Sequence, residues 1–266
     1  MTGSVLRARD VRMQFGGVLA LDGAAVEVRP GEVVGLIGRN GSGKSTLFNC
    51  ITGFLRPTAG SITLDAQSIE GRAPHDIVRA GVVRTFQTPR VDYRATVRDA
   101  VLCGLYPRAS CNFISNMLGL PASLAQEKSL QHQADAVIGQ LDMQAWAGMA
   151  IGKLSMGRVR MVEVARAMAS SPRYLLLDEP AAGLSRNEQA VLSREIRKLA
   201  DAGIGVLLVE HNFSLIRMLC DRVTVLDSGR VLLNATPQEV ERDEQVLRLY
   251  LGAAGDTVAT AETPQP

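Results

Sequence analysis

Val33-Val34-Gly35-Leu36-Ile37-Gly38-Arg39-Asn40-Gly41-Ser42-Gly43-Lys44-Ser45 decides how the rest of the chain is read. A short apolar run ends at Gly38, as a buried strand does. Gly38 to Ser45 then fits the pattern G-x-x-x-x-G-K-[ST] in full, and Lys44 to Ile51 reads as a helix. Glycines let such a turn curl until its N–H groups point at phosphate oxygens. The helix start adds the positive end of its dipole. Lys44 is the residue that reaches β- and γ-phosphates, and Ser45 offers a hydroxyl to Mg²⁺. A chance glycine-rich turn would lack the strand before it and the helix after it.

Outward from this loop the chain alternates strands and helices. Val5 to Phe15 and Ala24 to Val28 read as strands, broken by Gly16-Gly17 and closed by Pro30-Gly31. From about residue 88 to 155 strand signals fade, and Ala134, Val137, Ile138 and Leu141 recur at helical spacing. Then the rhythm returns. Helices are expected over Met156–Ala169, Asn187–Ala202 and Phe213–Cys220. Strands are expected over Tyr174–Leu177, Gly205–Val209, Val223–Leu226 and Val231–Leu233. That alternation predicts a largely parallel sheet covered by helices. Residues 253–266 are rich in Ala, Thr and Pro without periodicity and read as a disordered tail.

A phosphate loop needs a second metal contact. In Tyr174-Leu175-Leu176-Leu177-Asp178-Glu179-Pro180 an apolar strand delivers Asp178 at its carboxyl end, where ligand sites of such sheets lie. Asp178 would hold Mg²⁺ through water, and Glu179 is the candidate general base for an attacking water.

Composition narrows the alternatives. With 29 basic and 27 acidic residues among 266, the net charge is +2, which gives no case for binding nucleic acid. Cys50, Cys103, Cys111 and Cys220 form no C-x-x-C pair and read as reduced structural thiols of a cytoplasmic protein. The longest uncharged stretch, Ala109 to Gln126, carries Asn112, Asn116 and Pro121 and is too polar to span a bilayer. Work at a membrane would therefore require binding something already embedded there.

Further residues give the loop its context. Leu154-Ser155-Met156-Gly157-Arg158 precedes a helix and resembles the L-S-G-G-Q signature of ATP-binding cassette (ABC) proteins. Gln87, in Arg84-Thr85-Phe86-Gln87-Thr88, resembles the Q-loop of that family. His211 follows the Gly205–Val209 strand at the place of its switch histidine, and Phe15 at the place of its adenine-stacking ring. The resemblance runs from about Val5 to Gly252. Its finer strings are Phe15-Gly16-Gly17, Thr52-Gly53-Phe54 with Pro57-Thr58-Ala59-Gly60, Asp178 to Leu184, and Tyr250-Leu251-Gly252. These resemble the ATP-binding subunits of branched-chain amino acid importers, the LivG-like group. Close relatives of that group carry urea, short amides or aromatic acids.

The resemblance implies an α/β fold: a P-loop ATPase core with a mixed sheet, an N-terminal antiparallel β portion and an inserted helical subdomain. Residues 1–87 and 156–252 would form the core, and 88–155 the insert. Nucleotide would be bound by Phe15 and by Gly38, Arg39, Asn40, Gly41, Ser42, Gly43, Lys44, Ser45 and Thr46. Ser45, Gln87 and Asp178 would serve Mg²⁺, and Glu179, His211 and Gln87 would serve hydrolysis. Leu154 to Arg158 would meet the ATP of a second ABC subunit packed head to tail, in a homo- or heterodimer. Two transmembrane permease subunits, and indirectly a substrate-binding protein, would complete a transporter. The chain would sit peripherally on the cytoplasmic face of the membrane.

Two residues depart from the family pattern. Arg158 stands in place of Gln; it either meets phosphate or ribose across the interface or marks a weakened site in an unequal pair. Ser185 stands where Asp or Asn is usual, with Asn187 and Glu188 nearby as compensating groups. Among rival readings, a soluble phosphotransferase has no use for the signature or His211. A chromosome or repair ATPase would carry long coiled coils between the two motifs, and no sustained heptads occur. A translation-factor relative would need two cassettes in one chain. His75 and His132 read as surface histidines, Trp146 as packed in the insert, and Arg7, Arg9, Arg12 and Arg29 as a solvated face. Phe15 is open between core packing and an adenine platform.

Overall fold

The computed structural model describes residues 4–86, 88–106 and 121–255. Two sheets organise it. The first is antiparallel, in the order β2-β1-β4-β5, from β1 (Leu6–Phe15), β2 (Val18–Val28), β4 (Ala59–Leu64) and β5 (Gln67–Ser68). The second has six strands in the order β10-β9-β3-β8-β7-β6. These are β3 (Val33–Ile37), β6 (Val82–Arg84), β7 (Tyr174–Asp178), β8 (Gly205–Val209), β9 (Arg222–Asp227) and β10 (Arg230–Ala235). Five of the six run parallel, and β10 closes one edge antiparallel to β9 through Ser228-Gly229. The α/β fold with a mixed sheet and an antiparallel N-terminal portion is thus as expected.

The central strands are buried on both faces, and alternate side chains feed two cores. On β3, Val33 and Ile37 face one cluster while Val34 and Leu36 face the other. On β7, Leu175 and Leu177 divide from Tyr174 and Leu176 in the same way. This is the period of two of an extended chain. The cluster of Val34 and Leu36 joins α1 (Lys44–Ile51), through Leu47, Phe48 and Ile51, to the antiparallel sheet. The other joins the sheet to α3 (Val97–Leu105), α4 (Pro121–Gln140), α5 (Met156–Ala169), α6 (Arg186–Asp201) and α7 (Phe213–Leu219). Each fully buried Leu, Ile or Phe contributes about 1.5–3 kcal/mol. The remaining helices are α2 (Pro74–Arg79), α8 (Pro237–Arg242) and α9 (Glu244–Gly255).

Some boundaries differ from the sequence reading. β2 starts at Val18 rather than Ala24, because Gly16-Gly17 is a hairpin turn that pairs Phe15 with Val18. Bulges along β1–β2 disturb the alternation that marks a strand in sequence. Within the helical insert, α3 and α4 are joined to α5 by short 3₁₀ turns at Gln144–Trp146 and Ile151–Lys153. Trp146 is buried there, as expected. Three of the four arginines expected on a solvated face are ion-paired: Arg7 and Arg29 with Glu27, and Arg12 with Asp22. Residue 87 and most of Ala109–Gln126 lie outside the described residues. So does 256–266, although α9 reaches Gly255, inside the stretch expected to be tail. No described helix is long and apolar enough to cross a membrane.

Candidate functional site

β3 ends at Ile37, and the chain turns through Gly38–Gly43 before α1 starts at Lys44. Gly38 can be nothing larger: a Cβ there would lie 2.2 Å from the Leu226 carbonyl oxygen and 2.5 Å from Ser42 Oγ. Gly43 caps α1 in the left-handed region, with φ of 104°. The ammonium of Lys44 folds back into the loop. Its Nζ donates to the carbonyls of Gly38 at 2.7 Å and Arg39 at 2.9 Å. Lys44 is 7% exposed, and burial pushes its ammonium pKa down while the carboxylates of Glu179 and Asp178 pull it up. Those two carboxylates therefore face the loop. Ser42 Oγ is buried without a hydrogen-bond partner among the described residues, whereas Arg39, Asn40, Gly41 and Ser45 are exposed at the loop's mouth and Thr46 is half-buried behind them.

The acidic side of the site is built by strand register. β7 and β8 pair Asp178 with Val209, and the Glu179 N–H donates to the Val209 carbonyl at 2.9 Å. This puts Glu179 beside the residues that follow β8. His211 Nε2 lies 2.9 Å from Glu179 Oε1, so two of the three residues expected to serve hydrolysis share a hydrogen bond. Glu179 adopts φ of 49°, a left-handed conformation that side-chain-bearing residues rarely take. Asp178 is buried and held twice: Thr85 Oγ1 accepts from its N–H at 3.2 Å, and Arg84 donates to its Oδ2 at 2.9 Å. The Arg84 side chain is 7% exposed, also donates to Asn49, and lies over the rings of Phe48 and Phe86.

Sequence reasoning gave Arg84 no role, and it missed Glu210. Burial pushes the Glu210 carboxyl pKa up, against backbone N–H donors that include Ala181 at 3.0 Å. Glu210 thereby ties the turn after Glu179 to the strand end that carries His211. The only sequence signal for either residue is an ionisable group at the end of an apolar run.

The third part lies on α5. Ser155 caps this helix, its hydroxyl accepting from the Arg158 N–H at 3.4 Å, and stays exposed, as does Met156; Leu154 is half-buried. Gly157 is buried against the turn after Glu179, where a Cβ would lie 2.3 Å from the Gly183 carbonyl oxygen. Arg158 is not free to reach outward as it stands: its Nε donates to Glu188 at 3.1 Å. Phe15 is 47% exposed at the end of β1, which removes the core-packing reading. Gln87 lies outside the described residues. The arrangement offers a phosphate cradle with a buried cation, a carboxylate–imidazole pair beside it and, on a separate helix, an exposed N-terminus.

For a divalent cation the fit is that of an incomplete shell. Among the described residues no group of three or more His, Cys, Asp or Glu could hold a metal. Ser45 and Asp178 are oxygen donors of the type Mg²⁺ takes when phosphate oxygens and water supply the rest.

Known proteins resemble the chain over most of its length. Residues 21–182 match the family model described as ABC transporter. The chain is 37% identical over 255 residues to the high-affinity branched-chain amino acid transport ATP-binding protein BraF of Pseudomonas aeruginosa, covering 96% of this chain and all of that one. It is 36% identical, over the same shares, to the LivG protein of that description from Escherichia coli. A solved nucleotide-free ATP-binding cassette from an ABC transporter superposes with a TM-score of 0.80 at 29% identity, covering 93% of this chain and 98% of that one. With a phosphate loop, a separate helix start and an acidic strand end following one another along this fold, the chain belongs to the ABC transporter family.

Proposed function

We propose that this chain is the ATP-hydrolysing subunit of an importer for branched-chain amino acids or related small amides and acids. The carrying observation is the placement of Lys44 inside the phosphate loop with the Glu179–His211 pair opposite. ATP is held by Gly38 to Thr46, with Phe15 against adenine. Backbone N–H groups and the start of α1 receive the phosphates, and Lys44 turns from the loop carbonyls to the β- and γ-oxygens. Mg²⁺ would neutralise charge on those oxygens, and Ser45, Gln87 and Asp178 are the residues that would hold it. Glu179 accepts a proton from the attacking water, and His211 orients that water and the γ-phosphate.

The helix start at Ser155 completes the site of a second subunit. Two cassettes pack head to tail, so that Leu154 to Gly157 of one face the ATP of the other. The exposed Ser155 and Met156 at the start of α5 support this reading, because a helix N-terminus favours anionic phosphate. ATP is then a ligand selective for the closed pair, and hydrolysis removes it. Two membrane subunits, loaded by a substrate-binding protein, take up that movement from the cytoplasmic side.

Co-expression with and without the neighbouring permease subunits tests the transport assignment. The chain should sediment with membranes only when they are present. A chain that stays in the supernatant beside them rules the assignment out. Cargo is settled separately, by the ligand that the cognate binding protein retains.

A further inference from the structure

The two departures from the family pattern, Arg158 and Ser185, meet on one carboxylate. Ser185 caps α6, and Glu188 three residues on reaches back to it, accepting from the Ser185 N–H at 2.9 Å and hydroxyl at 2.7 Å. The same carboxylate accepts from Arg158 Nε at 3.1 Å. On its other side the Arg158 guanidinium lies 5.2 Å from the centroid of the buried Trp146 ring. Three elements are thereby joined: the 3₁₀ turn at Gln144–Trp146, the start of α5 and the start of α6. The chain between Glu179 and Ser185 is gripped as well, by Gly157 packed on Gly183 and by Arg160, which donates to the Ala182 carbonyl at 2.9 Å.

We propose that Arg158 is a positioning residue acting within its own subunit: it latches the start of α5 to the capping box of α6, so that Ser155, Gly157 and the 183–188 turn meet the second subunit as one preformed edge. This rests on the head-to-tail reading above. The ion pair alone is half-exposed and weak. Its strength comes from sharing: the guanidinium is pinned by a ring on one side, and the carboxylate by a capping box on the other. A preformed edge spares ATP the cost of ordering it. Losing the latch therefore weakens ATP engagement before it touches the chemical step, which is the signature of uniform binding.

The test uses the full chain assembled with its membrane subunits, measuring hydrolysis against ATP concentration for Arg158→Gln, Glu188→Gln and the double variant. Gln at 188 keeps the capping box, so α6 retains its start. Each single substitution should raise the half-saturating ATP concentration about threefold to tenfold, with the saturating rate within about twofold and the double variant no worse than either single. If Arg158→Gln raises it and Glu188→Gln does not, Arg158 acts directly on nucleotide and the latch is wrong. Independent, multiplying effects also overturn it, as does a lowered saturating rate with unchanged half-saturation. Ser155→Arg tests the head-to-tail reading separately, since that variant should lose hydrolysis. Should it not, amide exchange without nucleotide still decides the latch: Arg158→Gln must speed exchange in the first turns of both α5 and α6, and unchanged exchange sinks it.

Discussion

At the scale of single residues, Glu179 carries the sharpest consequence. Its carboxylate shares a hydrogen bond with His211 at 2.9 Å. Glu179→Gln keeps the shape and removes the proposed base, so turnover should fall by about 10²–10⁴-fold while ATP still binds. Phosphate release and retained nucleotide, measured on the same sample, check both halves of that statement. Gly38 makes the complementary case. A methyl group there collides with the backbone at Leu226, so Gly38→Ala must displace the loop itself. Nucleotide binding should be lost at ATP concentrations that saturate the unaltered chain, which equilibrium binding of a labelled ATP analogue would show.

At the scale of elements, α5 is held more tightly at its start than its exposed first turn suggests. Gly157 abuts Gly183, and a Cβ would overlap the carbonyl oxygen there. Gly157→Ala should therefore destabilise the fold by about 1–3 kcal/mol, read as a lowered thermal midpoint, and should depress hydrolysis more than the folded fraction explains. β3, α1, β7 and β8 were legible in the sequence because each is a bounded run with its own period. β4, β5 and β6 were not, being short or paired in a bulged antiparallel sheet that dilutes alternation. The placement of Lys44, Asp178 and Glu179 around the loop could be read because it follows from local motif. Arg84 and Glu210 could not, because their partners Asp178 and Ala181 arrive only through the register of β6 on β7 and β7 on β8. Arg158 was visible as a departure, but its engagement with Glu188 depends on how α5 meets α6.

At the scale of the whole molecule, the six-stranded sheet separates two cores, and its thiols report on both. Cys50 belongs to one cluster and Cys220 to the other; burial pushes their pKa values up to about 11 and about 12, while Cys103 is exposed. Iodoacetamide at pH 8 should modify Cys103 in the folded protein and reach Cys50 and Cys220 only after unfolding, as peptide mass mapping would show. Equal labelling of all three would contradict the packing. The left-handed backbone at Glu179 adds a last consequence. A glutamate there costs the fold about 1–2 kcal/mol relative to an unstrained site, and an asparagine, which tolerates that conformation, relieves part of it. Glu179→Asn should thus melt a few degrees higher than the natural chain and turn over no ATP. On that expectation position 179 trades thermostability for turnover, and screening this chain for heat resistance alone would select against its own chemistry.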